Sequence, residues 1–170
     1  GDLITDTWAL GCVASGGTRT SAADNDSDDD WLRDDTEVGA TGVPASARNT
    51  DGTNGIDACD TDSDADTIVD QTESGCSAVC TTPRDSDSDT VPDYRDTDSD
   101  GDGIADATEG TSDTDGDTLP NYRDTDSDGD GIGDASEGTT DTDGDTLPDY
   151  RDTDSDGDGR SDAVEGTADL

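Results

Sequence analysis

The stretch DSDGDGIADATE, residues 98–109, decides how this chain is read. Counting Asp98 as position 1, its acids fall at positions 1, 3, 5, 9 and 12: Asp98, Asp100, Asp102, Asp106 and Glu109. The same spacing returns in Asp26, Asp28, Asp30, Asp34 and Glu37, and in Asp62, Asp64, Asp66, Asp70 and Glu73. It returns again in Asp126, Asp128, Asp130, Asp134 and Glu137, and in Asp154, Asp156, Asp158, Asp162 and Glu165. A second set ends in Asp. It comprises Asp85, Asp87, Asp89, Asp93 and Asp96; Asp113, Asp115, Asp117, Asn121 and Asp124; and Asp141, Asp143, Asp145, Asp149 and Asp152. A worn copy starts at Asn49 and keeps Asp51, Asp57 and Asp60.

Nine copies of one oxygen-ligand spacing in 170 residues point to a cation-loaded tandem array. Hard cations such as Ca²⁺ take six to eight oxygens, and this spacing curls a short loop around one ion. Positions 1, 3 and 5 would offer carboxylates and position 7 its carbonyl; position 9 would bind directly or through water, and position 12 would close the shell. Position 7 is apolar in Leu32, Ile68, Val91, Ile104, Leu119, Ile132 and Leu147, with Gly55 and Arg160 as exceptions. That regularity predicts an apolar seam behind the ions.

Composition supports the same reading. The chain has 8 Arg plus Lys, 48 Asp plus Glu, no His and a net charge of -40, and a quarter of it is apolar. So little apolar side chain cannot offset the conformational entropy of ordering the backbone, which runs to roughly 200 kcal/mol for a chain of this size. Bound cations are the remaining source of order, and about twenty divalent ions would neutralise the charge. One or two Ca²⁺ per loop is the right scale. Nucleic acid is excluded as a partner by charge. With neither His nor Lys, no assisted nucleophile is available, and the regular spacing accounts for the paired carboxylates as ligands, so no enzyme is expected.

Tyr94, Tyr122 and Tyr150 stand 28 residues apart, whereas Glu37, Glu73 and Glu109 stand 36 apart. The extra residues lie in 38–48 and 74–84, which read as surface excursions. Cys76 and Cys80 are close enough in sequence to close a short loop in the second, but the pairing of Cys12, Cys59, Cys76 and Cys80 cannot be deduced from sequence and stays open at this point. Three segments follow: an apolar N-terminal stretch over 1–23, divergent repeats with insertions over 24–84, and regular 28-residue repeats over 85–170. Asp60, Asp96, Asp124 and Asp152 end one loop next to the start of another and are candidates to bridge two ions. Tyr and Arg at positions 10 and 11 of the Asp-ending loops would cover apolar neighbours and pair with carboxylates.

Asp and Gly favour neither helix interiors nor strands. The fold expected is therefore mostly irregular coil with little regular secondary structure, a calcium-stabilised tandem-repeat rod. Helical turns are expected at Asp106–Glu109 and its copies, with room for short β-strands and for an N-terminal strand over 3–13. An EF-hand is excluded because loops 13 and 15 residues apart leave no room for flanking helices. A glycine-rich β-roll is excluded because its glycine core is absent.

The copies at 98–109, 126–137 and 154–165 resemble thrombospondin type 3 repeats in their bacterial form. That resemblance implies chain wrapped around calcium, on secreted or cell-surface proteins. The regularly placed cysteines of the animal repeats are missing here. Cysteines, millimolar external calcium and the start at Gly1 fit an extracellular setting, though an excised piece would also start without Met. No run is apolar enough for membrane insertion. The function expected is an extracellular calcium-binding structural repeat protein, a rod, stalk or subunit of a surface filament. Head-to-tail self-association through residues 3–13 would build such a filament. The alternative is a calcium-dependent adhesive module presenting 38–48 or 74–84 to a glycan or protein.

Overall fold

The computed structural model describes residues 25–38, 48–53 and 55–167. The chain divides into two compact units between Thr97 and Asp98. The expected N-terminal strand at 3–13 and the insertion residues 39–47 lie outside the described residues.

Every loop is shaped by its own acids. The position-5 carboxylate accepts the amide of position 7, as Asp30 does from Leu32 at 2.7 Å and Asp102 from Ile104 at 2.7 Å. The position-3 carboxylate accepts the amide of position 5, as Asp115 does from Asp117 at 2.9 Å. Short acidic side chains compete for nearby amides in this way, and so they replace helix and strand ladders with a sequence of turns. The curl requires left-handed backbone at positions 4 and 6. Glycine supplies it at Gly101 and Gly103, while Thr67, Thr118 and Thr146 adopt φ of 89°, 91° and 90° at position 6. A β-branched residue is costly there, and the loop hydrogen bonds hold it.

Position 9 closes each loop twice. Its amide donates to the carbonyl of the residue preceding the loop, as in Asp34 to Asn25, Asp70 to Thr61 and Asp162 to Thr153. Its side chain accepts from position 2, always Ser or Thr: Asp106 takes the Ser99 amide at 2.8 Å and its hydroxyl at 2.6 Å.

Two closures distinguish the loop types. Glu-ending loops finish in one α-helical turn: Asp34–Glu37, Asp70–Glu73, Asp106–Glu109, Asp134–Glu137 and Asp162–Glu165. Asp-ending loops finish in a tighter 3₁₀ turn: Asp57–Cys59, Asp93–Arg95, Asn121–Arg123 and Asp149–Arg151. After it, Asp60, Asp96, Asp124 and Asp152 are extended. Proline at position 8 (Pro92, Pro120, Pro148) fits that entry, because its fixed φ matches the extended residue preceding the turn. Past position 12, Gly110, Gly138 and Gly166 take φ of 69°, 75° and 71°. Val38 and Ser74 instead stay right-handed and lead into the insertions.

The apolar interior is small, and its largest members are aromatic. Tyr94, Tyr122 and Tyr150 are the largest fully buried side chains. In the second unit Tyr150 donates its hydroxyl to the Thr108 carbonyl at 3.4 Å, 42 residues away. Each following arginine lies over its tyrosine ring, 5.0 Å away for Arg95, 5.2 Å for Arg123 and 5.5 Å for Arg151. These arginines therefore stack on the tyrosines, where cation–π attraction and an apolar stem hold them. The ion pairs found among the described residues are Arg33–Asp35 and Arg160–Glu165.

Two further expectations are corrected. The described residues form no strand; Leu32 and Cys80 make an isolated parallel bridge. Acids this dense satisfy their neighbours' amides locally and leave no ladder to extend. The position-7 seam is divided. Leu32, Ile68 and Ile104 are buried, but Val91, Leu119 and Leu147 in the Asp-ending loops are exposed. The insertion 74–84 is a largely exposed excursion whose two ends meet. Arg84 donates its amide to the Ser74 carbonyl at 2.9 Å and Cys80 donates to Trp31 at 2.8 Å. Cys76 and Cys80 are disulfide-bonded, and Cys59 is in a disulfide too.

Position-4 glycines differ in their surroundings. A methyl group at Gly129 would lie 2.7 Å from an Asp115 carboxylate oxygen, and one at Gly157 2.6 Å from Asp143; at Gly116 it would meet open space. All three substitutions to Ala carry the left-handed penalty of about 1–2 kcal/mol. Gly129→Ala and Gly157→Ala also displace an acid of the preceding loop. In thermal melts with calcium, both should fall below Gly116→Ala.

Candidate metal centres

The same turns that shape each loop leave specific oxygens over. One oxygen of Asp100, Asp102, Asp128 and Asp130 accepts a loop amide or faces the loop, while Oδ2 of each is buried with no hydrogen-bond partner. Glu37, Glu109 and Glu137, at position 12, keep both carboxylate oxygens buried and without a hydrogen-bond partner. A buried carboxylate without compensation is among the most costly groups a protein can hold.

Electrostatics register the strain. Burial first, then Asp100 and Asp102, pushes Glu109 up to about 9. Burial, then Asp128 and Asp130, pushes Glu137 up to about 8. Burial brings Asp100 and Asp128 each to about 7. In the first unit Asp28 rises to about 9 through burial and the charges of Asp30, Asp70 and Asp26. Burial, then Asp30, Asp28, Asp70 and Asp34, holds Glu37 well above the ordinary carboxylate range. No arginine lies among the causes of these shifts. The groups need a cation or a proton.

Side-chain oxygens converge as the spacing predicts. Those of Asp26, Asp28 and Asp30 approach within 4.8 Å of one another, as do those of Asp62, Asp64 and Asp66, and those of Asp85, Asp87 and Asp89. Position-9 oxygens behave differently. In Asp34, Asp57, Asp70, Asp93, Asp106 and Asp149 both are engaged by the position-2 residue of the same loop. Asn121 fits this place because its Oδ1 alone accepts the Thr114 amide at 3.1 Å and hydroxyl at 3.0 Å. The Ser or Thr at position 2 was missed by reading acids alone, although all nine copies carry one.

The two loop types also differ in exposure. Asp87, Asp89, Asp113, Asp115, Asp117, Asp141, Asp143 and Asp145 are exposed, whereas Asp30, Asp64, Asp66 and Asp128 are buried. The worn copy pairs Asp51 with Thr53 through both amide and hydroxyl, which uses both oxygens of its one remaining early acid. At the junctions, Asp124 accepts the Asp126 amide at 3.1 Å and Asp152 accepts the Asp154 amide at 3.0 Å. Burial raises Asp124, and the charges of Asp117 and Asp115 on one side and Asp126 on the other add to it.

Clustered, desolvated carboxylates in tandem loops define a cation-binding repeat. Residues 84–109, 97–125 and 125–153 match the thrombospondin type 3 repeat, and the chain carries these repeats across 84–153. They form a structural, calcium-binding repeat family rather than an enzyme family, found typically in extracellular proteins. No curated protein matches the chain. Among the described residues, no helix is long and apolar enough to cross a membrane.

Two outcomes follow. Raised pKa values mean that the metal-free folded chain holds more protons than the unfolded one between the ordinary carboxylate range and about 8–9. Its stability should therefore fall as pH rises through that window. With calcium the order should reverse, since protons compete with the ion. Circular dichroism of decalcified and calcium-loaded chain at acid and mildly alkaline pH checks this crossing. Separately, Asp149→Asn should change melting in calcium by no more than about 0.5 kcal/mol. Asp149→Ala removes two side-chain hydrogen bonds and should cost about 2 kcal/mol.

Proposed function

We propose that this chain is a calcium-built spacer of an extracellular protein, a rod, stalk or filament subunit at a cell surface. The observation that carries it is the burial of Glu37, Glu109 and Glu137 with both oxygens unpartnered. In this reading the ion is held by positions 1, 3 and 5 through the oxygens their amide contacts leave over, and by the position-12 side chain. Flexible oxygen shells of this kind suit Ca²⁺ better than the smaller, octahedral Mg²⁺. Position 9 supports the shell by locking position 2. Asp60, Asp96, Asp124 and Asp152 bridge neighbouring ions. What calcium supplies when bound is charge compensation, and through it the fold. The buried Glu-ending loops form the tighter class of site, and the exposed Asp-ending loops the weaker.

Repeats that mainly contact their neighbours make quasi-linear structures, which supports the spacer role. Self-association through residues 3–13 belongs to this reading as its finer form, with electron microscopy in calcium and in chelator as its check. The adhesive alternative is favoured by one feature, the exposed apolar side chains of Trp31 and Val79. It requires that changes in 74–84 abolish ligand binding at unchanged calcium stoichiometry.

An external-type site with a dissociation constant near 10⁻⁴ M in ~2 mM calcium adds roughly 1.8 kcal/mol. Nine such sites exceed the net stability of a typical domain, about 5–15 kcal/mol. Chelation should therefore unfold the chain, read as loss of compactness in size exclusion. Native mass spectrometry should count at least one ion per intact loop, and Tyr94, Tyr122 and Tyr150 should sensitise Tb³⁺ luminescence that calcium displaces. A chain that keeps its dimensions after exhaustive decalcification would refute the proposal.

A further inference from the structure

One cluster in the first unit does not follow the loop-by-loop scheme. Asp30 and Glu37 are positions 5 and 12 of loop 26–37, while Asp70 is position 9 of loop 62–73, with loop 49–60 between them in sequence. The three side chains are buried, and an oxygen from each lies within 4.8 Å of the others. Oxygens ligating one Ca²⁺ at 2.3–2.6 Å are separated by no more than about 5 Å, so this set fits around a single ion. Glu37 gives the independent sign of a ligand. It is 0 % exposed, and neither carboxylate oxygen has a hydrogen-bond partner. Asp30 likewise keeps Oδ2 buried and unpartnered.

Asp70 is anchored for this position. Its two oxygens accept the Ser63 amide and hydroxyl, each at 2.7 Å. Each oxygen retains a further lone pair, and the carboxylate is fixed in orientation as a preformed ligand should be. The charge pattern recurs in the second unit, where Asp134 acts on Glu109 and Asp102 acts on Asp134.

We propose that the ion of loop 26–37 is completed by Asp70 of loop 62–73, making it a calcium site shared between two Glu-ending loops. This rests on the calcium reading above and changes its arithmetic. Loop 26–37 cannot reach full affinity until loop 62–73 has folded, so the two fill cooperatively.

Trp31 sits at position 6 of loop 26–37 and reports that loop alone once Trp8→Phe has been introduced in the full chain. The probe is Tb³⁺ luminescence excited through indole and displaced by calcium. Asp70→Asn keeps an acceptor for Ser63, as Asn121 does for Thr114, but removes the charge from the shared site. It should weaken calcium at the Trp31-reported site by about tenfold or more, as loss of a charged ligand does. Ser63→Ala leaves the Asp70 charge in place and should weaken it by less than about threefold. Unchanged affinity in Asp70→Asn overturns the proposal. So does an equal loss in Ser63→Ala, which would assign Asp70 to loop structure alone. Absence of any calcium-displaceable Trp31 signal in the parent chain refutes the loop-calcium reading itself, and this inference with it.

Discussion

A carboxylate removed from water needs a positive partner, and this chain has very few to offer. Its 8 basic residues face 48 acidic ones. Three arginines are occupied with tyrosine faces. Burial of Glu37, Glu109 and Glu137 is therefore intelligible as one half of an interaction whose other half is a cation or, without one, a bound proton. In an ordinary domain apolar contact sets the geometry and polar groups are accommodated. In this chain the polar groups set the geometry, and the apolar side chains fill what remains.

Much of this was legible in the sequence. The 1-3-5-9-12 spacing located all nine loops, and the helical turn at position 9 to 12 was visible in Asp106–Glu109 and its copies. What escaped was the hydrogen-bonding role of uncharged residues. Ser99 and its equivalents bind the position-9 side chain, a pairing that needs the loop to be closed before it has meaning. Nor did the sequence distinguish Ile104 from Leu119. Both are apolar at position 7, yet one is buried and the other exposed, because the two kinds of closing turn aim their loops differently. Strand expectations failed for a related reason: an Asp at every second place resembles alternation, but its side chain captures the amide that a ladder would use.

The two loop types divide the work. Glu-ending loops bury more of their early acids, except in 154–165 where Asp156 and Asp158 are exposed, and follow with glycine or an insertion. Asp-ending loops after residue 84 leave most of their early acids in solvent, bury position 9 and contribute the buried tyrosines. At position 6 glycine occurs only in Glu-ending loops (Gly103, Gly131, Gly159), but Trp31 and Thr67 of that type take the same left-handed angle as Thr90, Thr118 and Thr146 of the Asp-ending loops.

The hydrogen bond from Tyr150 to Thr108 bypasses an entire intervening loop pair. Descriptions of tandem arrays as beads coupled to their immediate neighbours assume that information decays over one unit. A contact that skips a unit lengthens the correlation, so the smallest block able to melt independently spans more than 28 residues. Shortening such a chain by one period would then remove contacts on both sides of the excision, and inserting a period would separate partners that now touch. Tyr150 thus joins the acids in fixing the spacing of the second unit.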